Sequence, residues 1–242
     1  MRKTITAVFY NEEYLLPWWL EHHKKIFDHG ILINYASTDR SVDIIKDICP
    51  NWEVVDSRNG AVFDAKKVDE EVQDIEENID GWKLCLNLTE FLVGDYSLFD
   101  IWRDRRITMP CTVMVDNKPD DLPTYDKSLI EQKYHGIYYS QGGSKIRRGR
   151  TAHCNRFENY PLGRHYNDWM TDKLQILWYG WSPFNDFTIK RKLQIQTRIP
   201  ESDKARGYGG EHITSHDKLT SDWQNKFMPQ SRDLSAELLK YV

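Results

Sequence analysis

The opening stretch Thr4–Ser41 reads TITAVFYNEEYLLPWWLEHHKKIFDHGILINYASTDRS, and its alternation of segment types decides the fold class. Thr4–Tyr10 is β-branched and aromatic, which predicts a strand at the very start of the chain. Asn11-Glu12-Glu13 then predicts the opening of a helix. Asn suits its cap, the acids suit its positive end, and Leu15, Leu16, Trp19 and Leu20 supply an apolar stripe. Pro17 falls early enough in that helix to be tolerated. Gly30 interrupts the pattern, Ile31–Tyr35 predicts a second buried strand, Ala36–Ser41 a loop, and Val42–Ile48 the next helix.

Working outward, Trp52–Val55 is a third strand. Asp64–Ile79 is acidic and helix-favouring, with Val68, Val72, Ile75 and Ile79 at helical spacing. Trp82–Leu86 is a fourth strand, ending at Asn87-Leu88-Thr89-Glu90. Strand–helix–strand alternation implies a mostly parallel central sheet with right-handed crossovers and helices on both faces, an α/β, Rossmann-like class. Ligands bind such sheets beyond the carboxyl ends of the strands. Tyr10-Asn11-Glu12, Asn34–Asp39 and Asn87–Glu90 all lie at those ends, so three polar segments are expected to converge on one crevice.

The second half is less regular. Cys111–Val115 and Ile137–Tyr139 predict strands, residues 117–127 a loop rich in Asp, Pro and Lys, and Leu234–Tyr241 a closing helix. No internal repeat or long linker divides the 242 residues, a length suited to one α/β domain. The net charge of −4 gives no global basic field for a polyanion. Two local clusters, Lys145–Arg150 and Lys190-Arg191-Lys192, are expected on solvated faces, with a phosphate or nucleic-acid contact as the alternative. Nine Trp and 13 Tyr are an excess that suits either a core or a sugar-binding cleft. Cys49, Cys85, Cys111 and Cys154 show no metal or redox spacing. With no leader-like segment and no apolar run of about 20 residues, a cytoplasmic protein without a transmembrane segment is expected.

Several motifs resemble those of family-2 glycosyltransferases, in the family-2-like branch related to family 92. Val8–Leu15 (VFYNEEYL) resembles the family's first motif, and Ile33–Ser41 (INYASTDRS) its Asp-x-Gly-Ser-Thr-Asp-x-Ser loop. Trp82–Leu92 (WKLCLNLTEFL) is similar to the segment that carries its Asp-x-Asp. Trp178–Phe187 is similar to a later His-Tyr-x-x-Ser-x-x-Glu-Glu-Phe element.

The resemblance implies a GT-A fold over residues 1–242, with a nucleotide-sugar half (1–110) and an acceptor half (111–242). It implies a nucleotide-sugar donor, a UDP-sugar first, and a hydroxyl acceptor, with inversion at the sugar. On this basis Phe9, Tyr10, Asn11, Glu12, Asp39 and Asn87 are expected against the donor. For Asp39 the alternative is a capping or loop-bracing role. Asp186, then Asp168, is expected to take the acceptor's proton.

The resemblance also implies a divalent metal, Mn²⁺ or Mg²⁺, held by Glu90 and Thr89 with His212 as a remote ligand. The Asp-x-Asp, however, has become Asn87-Leu88-Thr89, and a hard cation prefers charged oxygens. Three alternatives follow: Glu90 anchors the ion with help elsewhere, the enzyme is metal-independent, or catalysis has been lost. Asn34 and Ala36 likewise replace the common Asp and Gly. His153 suits a packed, hydrogen-bonded role or a phosphate contact. A glycan is a fitting acceptor, and a nucleic-acid acceptor is not favoured. The other class of reading is a non-catalytic sugar- or nucleotide-binding relative. A nucleotidyltransferase is disfavoured because Asn11-Glu12-Glu13 is acidic where a Gly-rich, basic phosphate loop would stand.

Overall fold

A computed structural model describes residues 1–102, 106–154, 170–207 and 209–242. In chain order its strands are β1 (Lys3–Phe9), β2 (His29–Asn34), β3 (Glu53–Asp56), β4 (Trp82–Cys85), β5 (Glu90–Gly94), β6 (Ile107–Met109), β7 (Cys111–Val115), β8 (His135–Ile137), β9 (Arg150–Ala152), β10 (Leu174–Trp181) and β11 (Arg232–Asp233). The first sheet has the order β3-β2-β1-β4, and every pairing in it is parallel. Helices Leu16–His23, Ser41–Ile48 and Ala65–Glu76 cross over between its strands. The chain is therefore mixed α/β with a parallel sheet flanked by helices.

The order reverses beside β1: the first crossovers build outward to β3, and the chain then returns to lay β4 on the other side. Such a reversal splays the loops at the strand ends and opens a crevice between β1 and β4.

The second sheet, β11-β8-β7-β10-β5, is mixed, with β10 parallel to β7 and antiparallel to β5. One apolar core joins the two sheets, through Ile5, Leu32 and Leu84 on one side and Leu92, Ile176 and Leu177 on the other. The aromatic excess divides between core and cleft. Trp19 and Trp82 are core residues whose indole N–H groups donate to the carbonyls of Glu90 and Phe99, as buried Trp requires.

Two local differences from the expected elements matter. The first helix begins at Leu16, not at Asn11, and Leu15 stands at its cap without a side-chain bond. Asn11 instead adopts φ 50°, a left-handed conformation that Asn tolerates. Its side-chain oxygen accepts from the backbone N–H of Thr38 at 2.8 Å, so Asn11 ties the β1 loop to the β2 loop. Second, Trp178–Trp181 forms the end of β10 and carries a bulge: Tyr179 and Gly180 there oppose Met114 alone on β7, between the pairs Trp178–Val113 and Trp181–Val115. Residues three apart on a regular strand face opposite ways, and one inserted residue restores them to a common face. Gly180 sits in this bulge, where a Cβ would meet the Trp178 ring at 2.2 Å.

A cationic and aromatic cleft at the strand ends

The bulge turns Trp178 and Trp181 toward a cavity of about 670 Å³ at the carboxyl ends of β1, β2 and β4. Phe9 at the end of β1, Tyr10 just after it, Tyr35 just after β2, and Cys85, Asn87 and Thr89 from the β4 end line one side. Arg191, Lys192, Gln194 and Ile195 of helix Asp186–Gln196 line the facing side, with Arg198 beyond it. Arg147 and Arg150 close the inner end. Among the described residues, six Lys and Arg side chains face the cavity against the carboxylates of Glu12, Asp69 and Asp222, so the cleft is basic in an acidic protein.

The innermost network is built on Glu90, whose side chain is fully buried. Oε1 accepts from Arg147 Nη2 at 2.6 Å, and Oε2 from Arg150 Nε at 2.8 Å and from the Asn87 backbone N–H at 2.8 Å. Burial alone would raise the Glu90 pKa, but the charges of Arg150 and Arg147 overcome that and hold it at about 2. With its amide oriented to satisfy its neighbours, Asn87 accepts from both guanidinium groups at 3.0 and 2.9 Å.

Two cations then rest on the tryptophans. Arg147 Cζ lies 4.4 Å from the Trp178 ring centre, and Lys192 Nζ lies 4.1 Å from Trp181 and 5.6 Å from Trp178. Burial, with Arg191 and Arg147 nearby, lowers the Lys192 ammonium to about 7. At the outer end Arg198 stacks on Tyr10 at 3.8 Å and donates from Nε to the Ala61 carbonyl. Glu12 pairs with Arg191 at 2.5 Å, yet burial outweighs that partner and leaves its carboxyl raised.

The expected site residues divide accordingly. Phe9, Tyr10, Glu12, Asn87, Thr89 and His212 line the cleft, His212 with its ring edge-on to Phe63. Asn11 and Asp39 do not. Asp39 Oδ2 accepts from the Glu13 N–H and Oδ1 from the Ser41 N–H, the loop-bracing role. The expectation that Tyr10, Asp39 and Glu90 face one pocket is corrected: only Tyr10 lines it, and Glu90 lies behind two arginines. Asp186 is exposed in the first turn of its helix and borders a separate shallow depression on the outer side. Asp168 lies outside the described residues. His153 is buried against Glu76 at 3.3 Å, the packed alternative.

Glu90, Thr89 and His212 do not fit a divalent cation. Both Glu90 oxygens already serve N–H donors, two of them cationic, and an entering ion would meet those guanidinium groups. Among the described residues no three His, Cys, Asp or Glu side chains are grouped to hold a metal. Nor is any helix among them long and apolar enough to cross a membrane.

No family model and no curated protein matches the chain. Solved structures do. Residues 1–349 of S. aureus TarS align with a TM-score of 0.39 and 12% identity, over 51% of this chain and 39% of that one. The same TarS segment in complex with UDP gives a TM-score of 0.38 and 11% identity, over 64% and 47%. This chain thus spans less than half the length of either structure.

The residues that sequence reasoning missed are Arg147, Arg150, Lys192, Arg198, Trp178 and Trp181. The signal was present in the two basic clusters, which are not simply solvated faces. Lys145, Arg148 and Lys190 do face solvent, but Arg150 is buried, and Arg147 and Lys192 are half-buried in the cleft.

Proposed function

We propose that the chain is a glycosyltransferase of GT-A type that moves a sugar from a nucleotide-sugar donor to a hydroxyl acceptor. One observation carries this: a basic, aromatic-lined cleft lies at the reversal point of a parallel sheet, where such sheets bind nucleotides. Flat rings suit a nucleobase and the apolar face of a sugar, and the cations suit a diphosphate. A UDP-sugar is the first donor to try, with Tyr10 and Tyr35 nearest the strand ends that would receive the nucleoside.

In the reaction the acceptor oxygen forms a bond to the anomeric carbon from the face opposite the leaving group. The bond from that carbon to the diphosphate oxygen breaks, and its electron pair leaves with the nucleoside diphosphate. The acceptor's proton passes to a carboxylate. Asp222 and Asp69 line the cleft and are the candidates for that role, ahead of Asp186 on the outer surface. The second reading, a binding relative without turnover, is favoured by the loss of the Asp-x-Asp carboxylates.

A thermal-shift panel of nucleotides and nucleotide sugars tests the reading. A ligand at 100 times its Kd adds about 2.7 kcal/mol, or roughly 5–10 °C for a chain of this size. UDP or a UDP-sugar should give such a shift, and a flat response across the panel would remove the donor site. Release of UDP in the presence of a glycan acceptor separates transferase from binder.

A further inference from the structure

We propose that the Arg147 guanidinium and the Lys192 ammonium, both packed against Trp178, bind the donor's diphosphate directly and stand in for a divalent cation. The inference rests on the nucleotide-sugar reading only for what the diphosphate is attached to.

Three features support it. First, the carboxylate in the segment that resembles a metal motif is spent on arginines: Glu90 neutralises at most one of the two positive charges that grip it. Both carboxylate oxygens are thus taken, and Arg147 lines the cavity where Glu90 does not, a surface that repels a metal ion and attracts its usual ligand. Second, donor capacity is left over. Arg147 Nε is buried with no partner, and among the described residues Lys192 meets indole rings rather than a carboxylate. A partly buried ammonium whose close contacts are indole rings is costly, and an anionic ligand offsets that cost. Third, the two tryptophans form a low-dielectric wall on which charge attraction is stronger than in water.

Geometry thus places fixed positive charge where the negative charge of a departing diphosphate would develop, as transition-state stabilisation requires. The titration of Lys192 agrees. Burial and the like charges of Arg191 and Arg147 lower its ammonium to about 7, and an anion beside it would favour the protonated form. Arg147, Arg191 and Lys218 face it with like charge and Asp222 with opposite charge, from the elements that pack around it.

Calorimetry on the full chain decides the matter, with inorganic pyrophosphate, UDP and uridine as probes, each in EDTA and then in Mn²⁺. We expect pyrophosphate and UDP to bind in EDTA within about twofold of their affinity in Mn²⁺. Lys192→Met should weaken both at least tenfold and leave uridine unchanged. Because it replaces a half-buried charge on two rings with an apolar chain of similar length, its melting temperature should not fall. UDP binding that requires Mn²⁺, or a Lys192→Met variant that keeps full UDP affinity, overturns the inference and leaves the nucleotide reading intact. The opposite split also has a signature. Metal-free pyrophosphate binding that is lost in Lys192→Met, with UDP no tighter than pyrophosphate, supports the cation cradle and removes the nucleotide. Absence of binding by every probe removes both.

Discussion

The two sides of the cleft are made of different materials. The strand-end side is largely uncharged and braced by backbone: Asn11 and Asp39 spend their side chains joining the β1 and β2 loops, leaving Tyr10 and Tyr35 to face the cavity, with Glu12 taken by Arg191 and Arg198 stacked on Tyr10. The facing side and inner end are charged and built from side chains that reach in from distant segments, Arg147 and Arg150 from one and Arg191 and Lys192 from another. A rigid neutral surface suits recognition of a flat base, and a set of fixed cations suits phosphate. The division of labour is therefore written in which atoms remain available after the fold has used its share.

The largest expected effect breaks the charged end from behind. Glu90→Gln would leave Arg147 and Arg150 facing each other without a carboxylate, and breaking a buried pair costs about 3–5 kcal/mol. Melting temperature should drop by roughly 6–20 °C, read by calorimetry. Were Glu90 a metal ligand instead, stability would hold and Mn²⁺-dependent turnover would vanish. The same pair has a pH signature. Its folded pKa of about 2 lies below the ordinary 4.5, so its stabilisation is complete above about 4.5 and is lost as pH falls toward 2.

The neutral side was legible in the sequence and the charged side was not, for a physical reason. Parallel strands buried on both faces need runs such as Thr4–Tyr10 and Ile31–Tyr35, and the crossover rule then fixes where their ends converge. The charged residues come from segments outside the parallel sheet: Arg147 follows a short helix, Arg150 opens β9 against β6, and Arg191 and Lys192 lie on helix Asp186–Gln196. Arg147 meets Glu90 across 57 positions, which no local pattern encodes. The bulge that aims Trp178 and Trp181 the same way is equally silent, since Gly180 alone does not announce a shifted register. The family resemblance also pulled Glu90 toward a metal, because a motif matches letters and not the arginines that arrive later in the chain.

A middle-sized effect sharpens the same contrast through pH. If Lys192 holds phosphate and titrates near 7, pyrophosphate affinity should fall between pH 7 and pH 9, by up to about tenfold per unit until the bound-state pKa is passed. Uridine, bound on the neutral side, should show no such slope. Lys192→Arg keeps its charge throughout this range and should flatten the pyrophosphate profile. A slope that persists in that variant would assign the titration to another group.

The smallest effect concerns Asp39, where resemblance and geometry disagree most directly. The family pattern implies a carboxylate that touches the base, whereas here both oxygens accept from backbone N–H groups of Glu13 and Ser41. Removing a capping side chain costs about 1 kcal/mol, so Asp39→Ala should lower the melting temperature by only a few degrees. Uridine affinity should change by less than about twofold, because Tyr10 reaches the cavity and Asp39 does not. A tenfold loss of uridine affinity with little change in stability would reverse that assignment and extend the neutral side to the β2 loop. The two measurements must be made on the same variant, since the loop that Asp39 braces also carries the backbone leading from Tyr10.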